Sequence, residues 1–449
     1  MKAAEARGAL GMKRADGTAP RRAALRILSD VRNGRPFDAA LDAAVIRLSE
    51  PDRRLAHELA AGILRAQSRL DARLAPLVPR GWAKVAPALR DVLRLGTYQL
   101  VALDRIPPHA AVATSVTLGR EAGGARAAGF VNAVLRKVAA EGTTLFEGIG
   151  DQGSGVGGLA AKYSHPEWLV LRWVGRFGVE GADLLLQWNN TRPLLVLQPA
   201  RASAESLMRQ WRRAGIAVHP APYGAGLITD RTRPDELPGF VEGDFLVQDP
   251  AQALVAWFAE VPAEAVLVDL CAAPGGKTVS IGRGIRGVIA ADINPRRAAR
   301  LAENLRRAGS GREHALIADA RQAPVRDAAA VLLDAPCLGT GTFARHPDAR
   351  WRANAAALTA LAADQRALLD AAAGSVQPGG LLIYSTCSLE PEENELQVEA
   401  FLARHPQFLR EPPDAFPPAL LSRVGDLDIL PQRHGMDGAY AARLRRRLT

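Results

Sequence analysis

Five short apolar runs, separated by helix-length stretches rich in Arg and Ala, occupy the chain from Val261 onward: AVLVDL, GVIAAD, HALIAD, AAVLLDAP and GGLLIYST. Runs this short and this continuously apolar are buried on both faces, and the stretches between them are long enough to be crossover helices. The pattern predicts a parallel, doubly wound α/β sheet of Rossmann-like form. Ligands in such a sheet bind beyond the carboxyl ends of the strands, so the residues that follow each run are where chemistry is expected.

The chain has 449 residues, too many for one ordinary core, and the remainder divides by pattern. Residues 1–19 carry basic residues without apolar periodicity and read as a flexible arm. Residues 20–146 place apolar side chains at three- and four-residue intervals throughout, which predicts an all-α bundle. GIGDQGSGVGG sits within a Gly-rich linker at 147–159. Residues 160–250 mix helical segments with β-like LLVLQP and FLVQD, a small α+β module, and 251–449 form the α/β domain.

Charge narrows the partners. Lys and Arg number 57 against 47 Asp and Glu, a net +10 that suits nucleic acid or an anionic surface. No apolar run reaches the roughly 18 residues that a membrane span needs, and no secretion leader is evident, so a cytoplasmic protein without a membrane partner is expected. The three cysteines, Cys271, Cys337 and Cys387, are too few for a disulfide framework and too far apart for a zinc site. No metal is expected.

The first run of the α/β domain leads into CAAPGGKT. Gly275 and Gly276 let the backbone approach a ligand closely, and the turn opens a helix. Residues 271–278 match the phosphate-binding loop GxxxxGK[ST] except at its first position, where Cys271 replaces the glycine that the turn needs. Asp292 instead closes the second run, where a carboxylate accepts from ribose hydroxyls, and Asp319 closes the third, placed to meet an adenine amino group. One aspartate after a strand is as well explained by a helix cap or a turn. With Asp334 closing the fourth run, three successive placements favour a nucleoside cofactor over nucleotide hydrolysis.

The fourth run ends in DAPC and the fifth in STCS, which brings Cys337 and Cys387 to one cleft edge if the two strands are neighbours. Two thiols there suit methylation of cytosine. Carbon 5 of that ring is a weak nucleophile until a thiolate adds at carbon 6; afterwards the carbon-5 proton must leave as the thiol is eliminated. One cysteine activates and the other aids release, but spacing does not say which. Asp334 would serve as donor to ring nitrogen 3 if burial raised its pKa.

With DLCAAPGGKT, DAPCLGTGTFARHPDARW and STCSLEPEEN in this order, the chain resembles the bacterial RsmB/Sun family of 16S ribosomal RNA cytosine-C5 methyltransferases, over nearly everything after the first 20 residues. RIPPHAAVATSV and GFVNAVLRKV resemble the NusB-like RNA-binding domain that this family carries in front. The resemblance implies a multidomain chain: an all-α NusB-like bundle, the small α+β module, and a C-terminal Rossmann-like class I methyltransferase domain. It implies that S-adenosylmethionine is held by Cys271, Ala272, Ala273, Pro274, Gly275, Gly276 and Lys277 with Asp292, Asp319 and Asp334. It makes Cys387 the nucleophile and Cys337 the residue that aids release, with 16S rRNA as partner and a monomer as the working unit. Leu338 after the PC pair and DGAY at 437–440 depart from the family pattern as packing changes. The competing readings are a transfer RNA cytosine-C5 methyltransferase and a ribosome assembly factor without catalysis.

Overall fold

The computed structural model describes residues 17–142, 155–231, 233–322 and 324–448. Most of the basic arm and the first part of the Gly-rich linker lie outside them. The described residues form two compact units: one runs to Leu186 and includes His346–Arg352, and the other holds Gln187–Arg345 and the chain from Ala353.

The first unit is helical. Thr18–Arg32, Phe37–Val45, Glu50–Leu74, Pro87–Ala102 and Pro108–Ala140 turn their apolar stripes inward, and Ile27, Leu59, Ile63, Leu95, Val131 and Leu135 are fully buried. Proline opens the last two of these helices at the first position, where its missing N–H costs nothing. The longest one breaks at Gly123 and Gly124, whose φ of 74° no ordinary helical residue adopts, so HAAVATSVTLGR and FVNAVLRKVAA are separate helical runs. Val156–Tyr163 and most of Glu167–Asn189 belong with this unit, although their composition groups them with the α+β module. Trp351 donates from Nε1 to the Leu64 carbonyl (2.7 Å), and Asp348 accepts from the Phe37 N–H (3.2 Å). Trp351 is thus a packing residue of the helical unit.

Gly62 marks the tightest helix–helix approach. A Cβ there would lie 2.1 Å from the Tyr98 hydroxyl oxygen, which donates to Glu58. Gly62→Ala gains helix propensity but forces Tyr98 from its place, so we expect a net loss of about 1–3 kcal/mol. Chemical denaturation of the two proteins checks this; equal midpoints would show that the helices can part without cost.

The second unit holds two sheets. Strands β1 (Leu195–Pro199), β2 (Val218–Pro220), β3 (Leu227–Thr229) and β4 (Phe245–Val247) form an antiparallel sheet in the order β2-β3-β1-β4. The helix Ala204–Arg213 covers it with Leu207 and Trp211, both fully buried, Trp211 edge-on to Phe245.

The larger sheet comprises β5 (Val266–Asp269), β6 (Gly287–Asp292), β7 (Glu313–Ile317), β8 (Ala328–Asp334), β9 (Val376–Thr386), β10 (Phe408–Arg410), β11 (Leu427–Ile429) and β12 (Ala439–Arg446). Its order is β10-β12-β9-β8-β5-β6-β7, with β11 paired to β12. The five expected strands are parallel, and the order reverses between β6 and β8 on either side of β5, the switch point at which such sheets open a crevice. The sheet is mixed rather than wholly parallel, because β12 runs antiparallel to β9 and carries β10 and β11. The terminal RLRRR runs in β12 as far as Arg446, and Arg443 and Arg445 both pair with Glu411.

Candidate active site

Beyond β5 the chain turns through Gly275, whose φ is 103° and whose absent Cβ would sit 2.8 Å from Leu301. A Cβ on Gly276 would meet only the amide end of the Gln248 side chain, at 2.8 Å, so Gly275, with its positive φ, is the one the turn requires. Asp269, unassigned from sequence, is buried at the end of β5 and accepts from the Thr278 hydroxyl (2.7 Å); burial pushes its pKa up to about 7. Cys271 is pushed up to about 12 by burial and by Asp269, Asp334 and Asp292, so it stays a thiol and packs.

A cavity of about 340 Å³ opens along the strand ends, lined among others by Cys271, Ala273, Asp292, Asp319 and Asp334. Ile293, Arg297, Arg321, Asp364 and Leu368 share the lining without having been singled out from sequence. Ala272, Pro274, Gly275, Gly276 and Lys277 shape the loop beside it and do not line it. Asp292 is buried, accepts from the Asn294 N–H (2.8 Å) and is held by Arg297. Asp319 stands two residues past β7, and hydrogen bonds from Arg321 hold its carboxyl below the usual range.

Strands β8 and β9 place Asp334 directly opposite Ser385, whose hydroxyl donates to Asp334 Oδ1 (2.7 Å). Lys277 is no solvated side chain: it is buried, and its Nζ donates to Asp334 Oδ2 (2.7 Å) and to Gln252. The Asp334 side chain is 32% exposed, and in this pair Lys277 donates and the Asp334 carboxylate accepts.

The loops after β8 and β9 bring Cys337 and Cys387 together, Sγ to Sγ 3.3 Å. The hydrogen bond with Cys387, then burial, then the charges of Cys387 and Glu393 push the Cys337 thiol well up. Backbone contacts lock the loops: the Gly341 N–H donates to the Cys387 carbonyl (3.0 Å) and the Gly438 N–H to the Gly341 carbonyl (2.8 Å). Arg345 pairs with Asp249 (2.6 Å) and Asp437 (2.9 Å), which joins QDPAQ, ARHP and DGAY in one brace.

Comparison with known proteins bears on this arrangement. Residues 255–445 match the family model described as 16S rRNA methyltransferase RsmB/F, and residues 18–140 match the NusB family. The probable ribosomal RNA small subunit methyltransferase B of Synechocystis sp. is 35% identical, with 95% of this chain and 99% of that protein aligned. The ribosomal RNA small subunit methyltransferase B of Pseudomonas putida is 34% identical over 95% of this chain and 98% of its own. The crystal structure of PH0851 is 25% identical, covers 95% of this chain and 98% of that one, and superposes with a TM-score of 0.80.

Proposed function

Because this chain belongs to the 16S rRNA methyltransferase RsmB/F family, with a NusB-family domain in front, we propose that it methylates carbon 5 of a cytosine in 16S rRNA through a transient Cys387 adduct. The observation that carries the reading is the 3.3 Å thiol pair at the ends of adjacent parallel strands, beside a carboxylate-lined cavity. That cavity suits S-adenosylmethionine, a cationic sulfonium with ribose hydroxyls and an ammonium group: Asp292, Asp319 and Asp334 offer acceptors, while Cys271, Ala273 and Leu368 offer apolar wall. When bound, it supplies an electrophilic methyl group.

The chain's own residues do the rest. Cys387 adds as thiolate to carbon 6 of the ring, and the electrons displaced toward carbon 5 make that carbon the attacking atom. Lys277, aimed by Asp334, is the donor that can meet charge building on the ring. Once Cys387 is bonded to carbon it no longer takes part in the bond that most strongly keeps the proton on Cys337. Cys337 becomes easier to ionise just when a base is needed to take the carbon-5 proton, and the carbon–sulfur bond then breaks to release Cys387.

Two measurements test this reading. Asp292→Ala should weaken cosubstrate binding by about 10- to 100-fold, the worth of a lost hydrogen bond to a charged group, read by calorimetry; unchanged affinity would remove Asp292 from the site. RNA binding should fall with salt at a log–log slope of about −3 or steeper, as expected when roughly four or more phosphates are contacted. A nearly flat slope would argue against electrostatic capture by this +10 chain.

A further inference from the structure

Neither thiol sits on the sheet itself; both lie on loops, yet their sulfurs stand 3.3 Å apart. Something must set that distance. Cys337 is flanked by two peptide groups that are each held from below. The Pro336 carbonyl accepts from Gln365 Nε2 (2.8 Å), and the Leu338 N–H donates to the Glu393 carboxylate (3.0 Å to Oε1 and 3.3 Å to Oε2). Gln365 and Glu393 are themselves bonded (3.0 Å), and both are fully buried.

The same turn reaches the other cysteine. Asn394, the neighbour of Glu393, accepts from Thr386 and donates to the Ser388 carbonyl (2.8 Å), which grips the residues on both sides of Cys387. Tyr384 in β9 donates to the Glu393 carbonyl (2.7 Å) and ties the turn to the sheet.

We propose that Glu393 is a positioning residue for release of the product: its buried carboxylate holds the residue after Cys337 while Asn394, next to it in the same turn, holds the residues around Cys387, and so the Cys337 thiol stays in register with the Cys387 adduct. The partners of the carboxylate are neutral donors, a backbone N–H and an amide. Burying a carboxylate on such partners is costly for a purely structural tie, since a neutral side chain would serve one. A charge on this spot also faces Cys337. The inference rests on the covalent reading of the thiol pair.

The test compares the full-length parent with Glu393→Gln, Glu393→Asp and Cys337→Ala, on 16S RNA purified from cells lacking this chain. Glutamine preserves the shape but turns an NH2 toward groups that are already donors. Glu393→Gln is expected to keep the RNA KM within about twofold and to lower kcat at least about tenfold. It should also accumulate a protein–RNA adduct on a denaturing gel that the parent does not, with Glu393→Asp recovering part of kcat. Parental turnover without adduct would overturn the proposal, as would an equal fall in adduct formation and turnover, the mark of a merely loosened fold. Should Glu393→Gln fail to fold, Gln365→Leu removes the amide that ties Glu393 to the Pro336 carbonyl and leaves the carboxylate its Leu338 N–H; parental turnover in that variant would overturn the proposal equally. If Cys337→Ala methylates normally and forms no adduct, the covalent reading itself has failed, and that is recognisable because Glu393 is intact there.

Discussion

Cys387→Ser is expected to lower methyl transfer by at least about 10³-fold while leaving RNA and cosubstrate binding unchanged. Serine fills almost the same space and can keep a contact with Cys337, so the fold has no reason to change. A serine hydroxyl holds its proton far more firmly than a thiol, so the oxyanion that would have to add at carbon 6 scarcely forms. Single-turnover transfer from labelled cosubstrate, measured beside an RNA-binding titration, separates the chemical step from binding. Activity within tenfold of the parent would mean that no sulfur–carbon bond is required.

Cys337→Ala is expected to have the opposite signature. The first turnover should proceed, because the attacking thiol is present, and later turnovers should slow by about 10²–10⁴-fold, the usual worth of a positioned acid–base group. A burst of one methyl group per chain, followed by a protein–RNA species stable on a denaturing gel, is the expected result. If instead Cys387→Ser traps the adduct and Cys337→Ala is dead, the two roles are exchanged. Position alone cannot distinguish them. Their surroundings differ, because the contact with Cys387 and burial push the Cys337 thiol up, and the N–H after Cys337 is bonded to the buried Glu393 carboxylate.

Much of this arrangement was legible in the sequence, and the rest was hidden for identifiable reasons. The five apolar runs announced the parallel core because strands buried on both faces have nowhere to put polar residues. The meeting of Cys337 with Cys387 followed from strand adjacency, since both follow neighbouring strand ends. The antiparallel β12 escaped notice because its ARLRR pattern looks like a charged tail; its arginines are held by Glu411, which faces two of them, and by the carbonyls of Ala259, Gly379 and Val376. Arg345 escaped for the same kind of reason: its partners, Asp249 and Asp437, lie 96 and 92 residues away along the chain. Glu393 and Asn394 stood in plain view in EPEEN, but a run of carboxylates reads as solvated surface, and nothing local says that one of them is buried.

The Asp334 case is instructive in a different way. Its place at a strand end was readable, but its partners were not, since Lys277 and Ser385 lie 57 and 51 residues away along the chain. Lys277, the one lysine after Lys162, stood out in the sequence by rarity alone; its salt bridge to Asp334 gives that rarity a physical meaning.

The most direct test uses the unmodified chain and an RNA in which cytidine is replaced by 5-fluorocytidine. Fluorine cannot leave carbon 5 as the proton does, so a ring attacked at carbon 6 and methylated at carbon 5 stays attached to the protein. After nuclease and protease digestion, mass spectrometry of the peptides should find the methylated pyrimidine on the fragment containing Cys387. Its recovery on Cys337 or Cys271, or the absence of any attached nucleotide alongside normal methylation of ordinary RNA, would contradict the account.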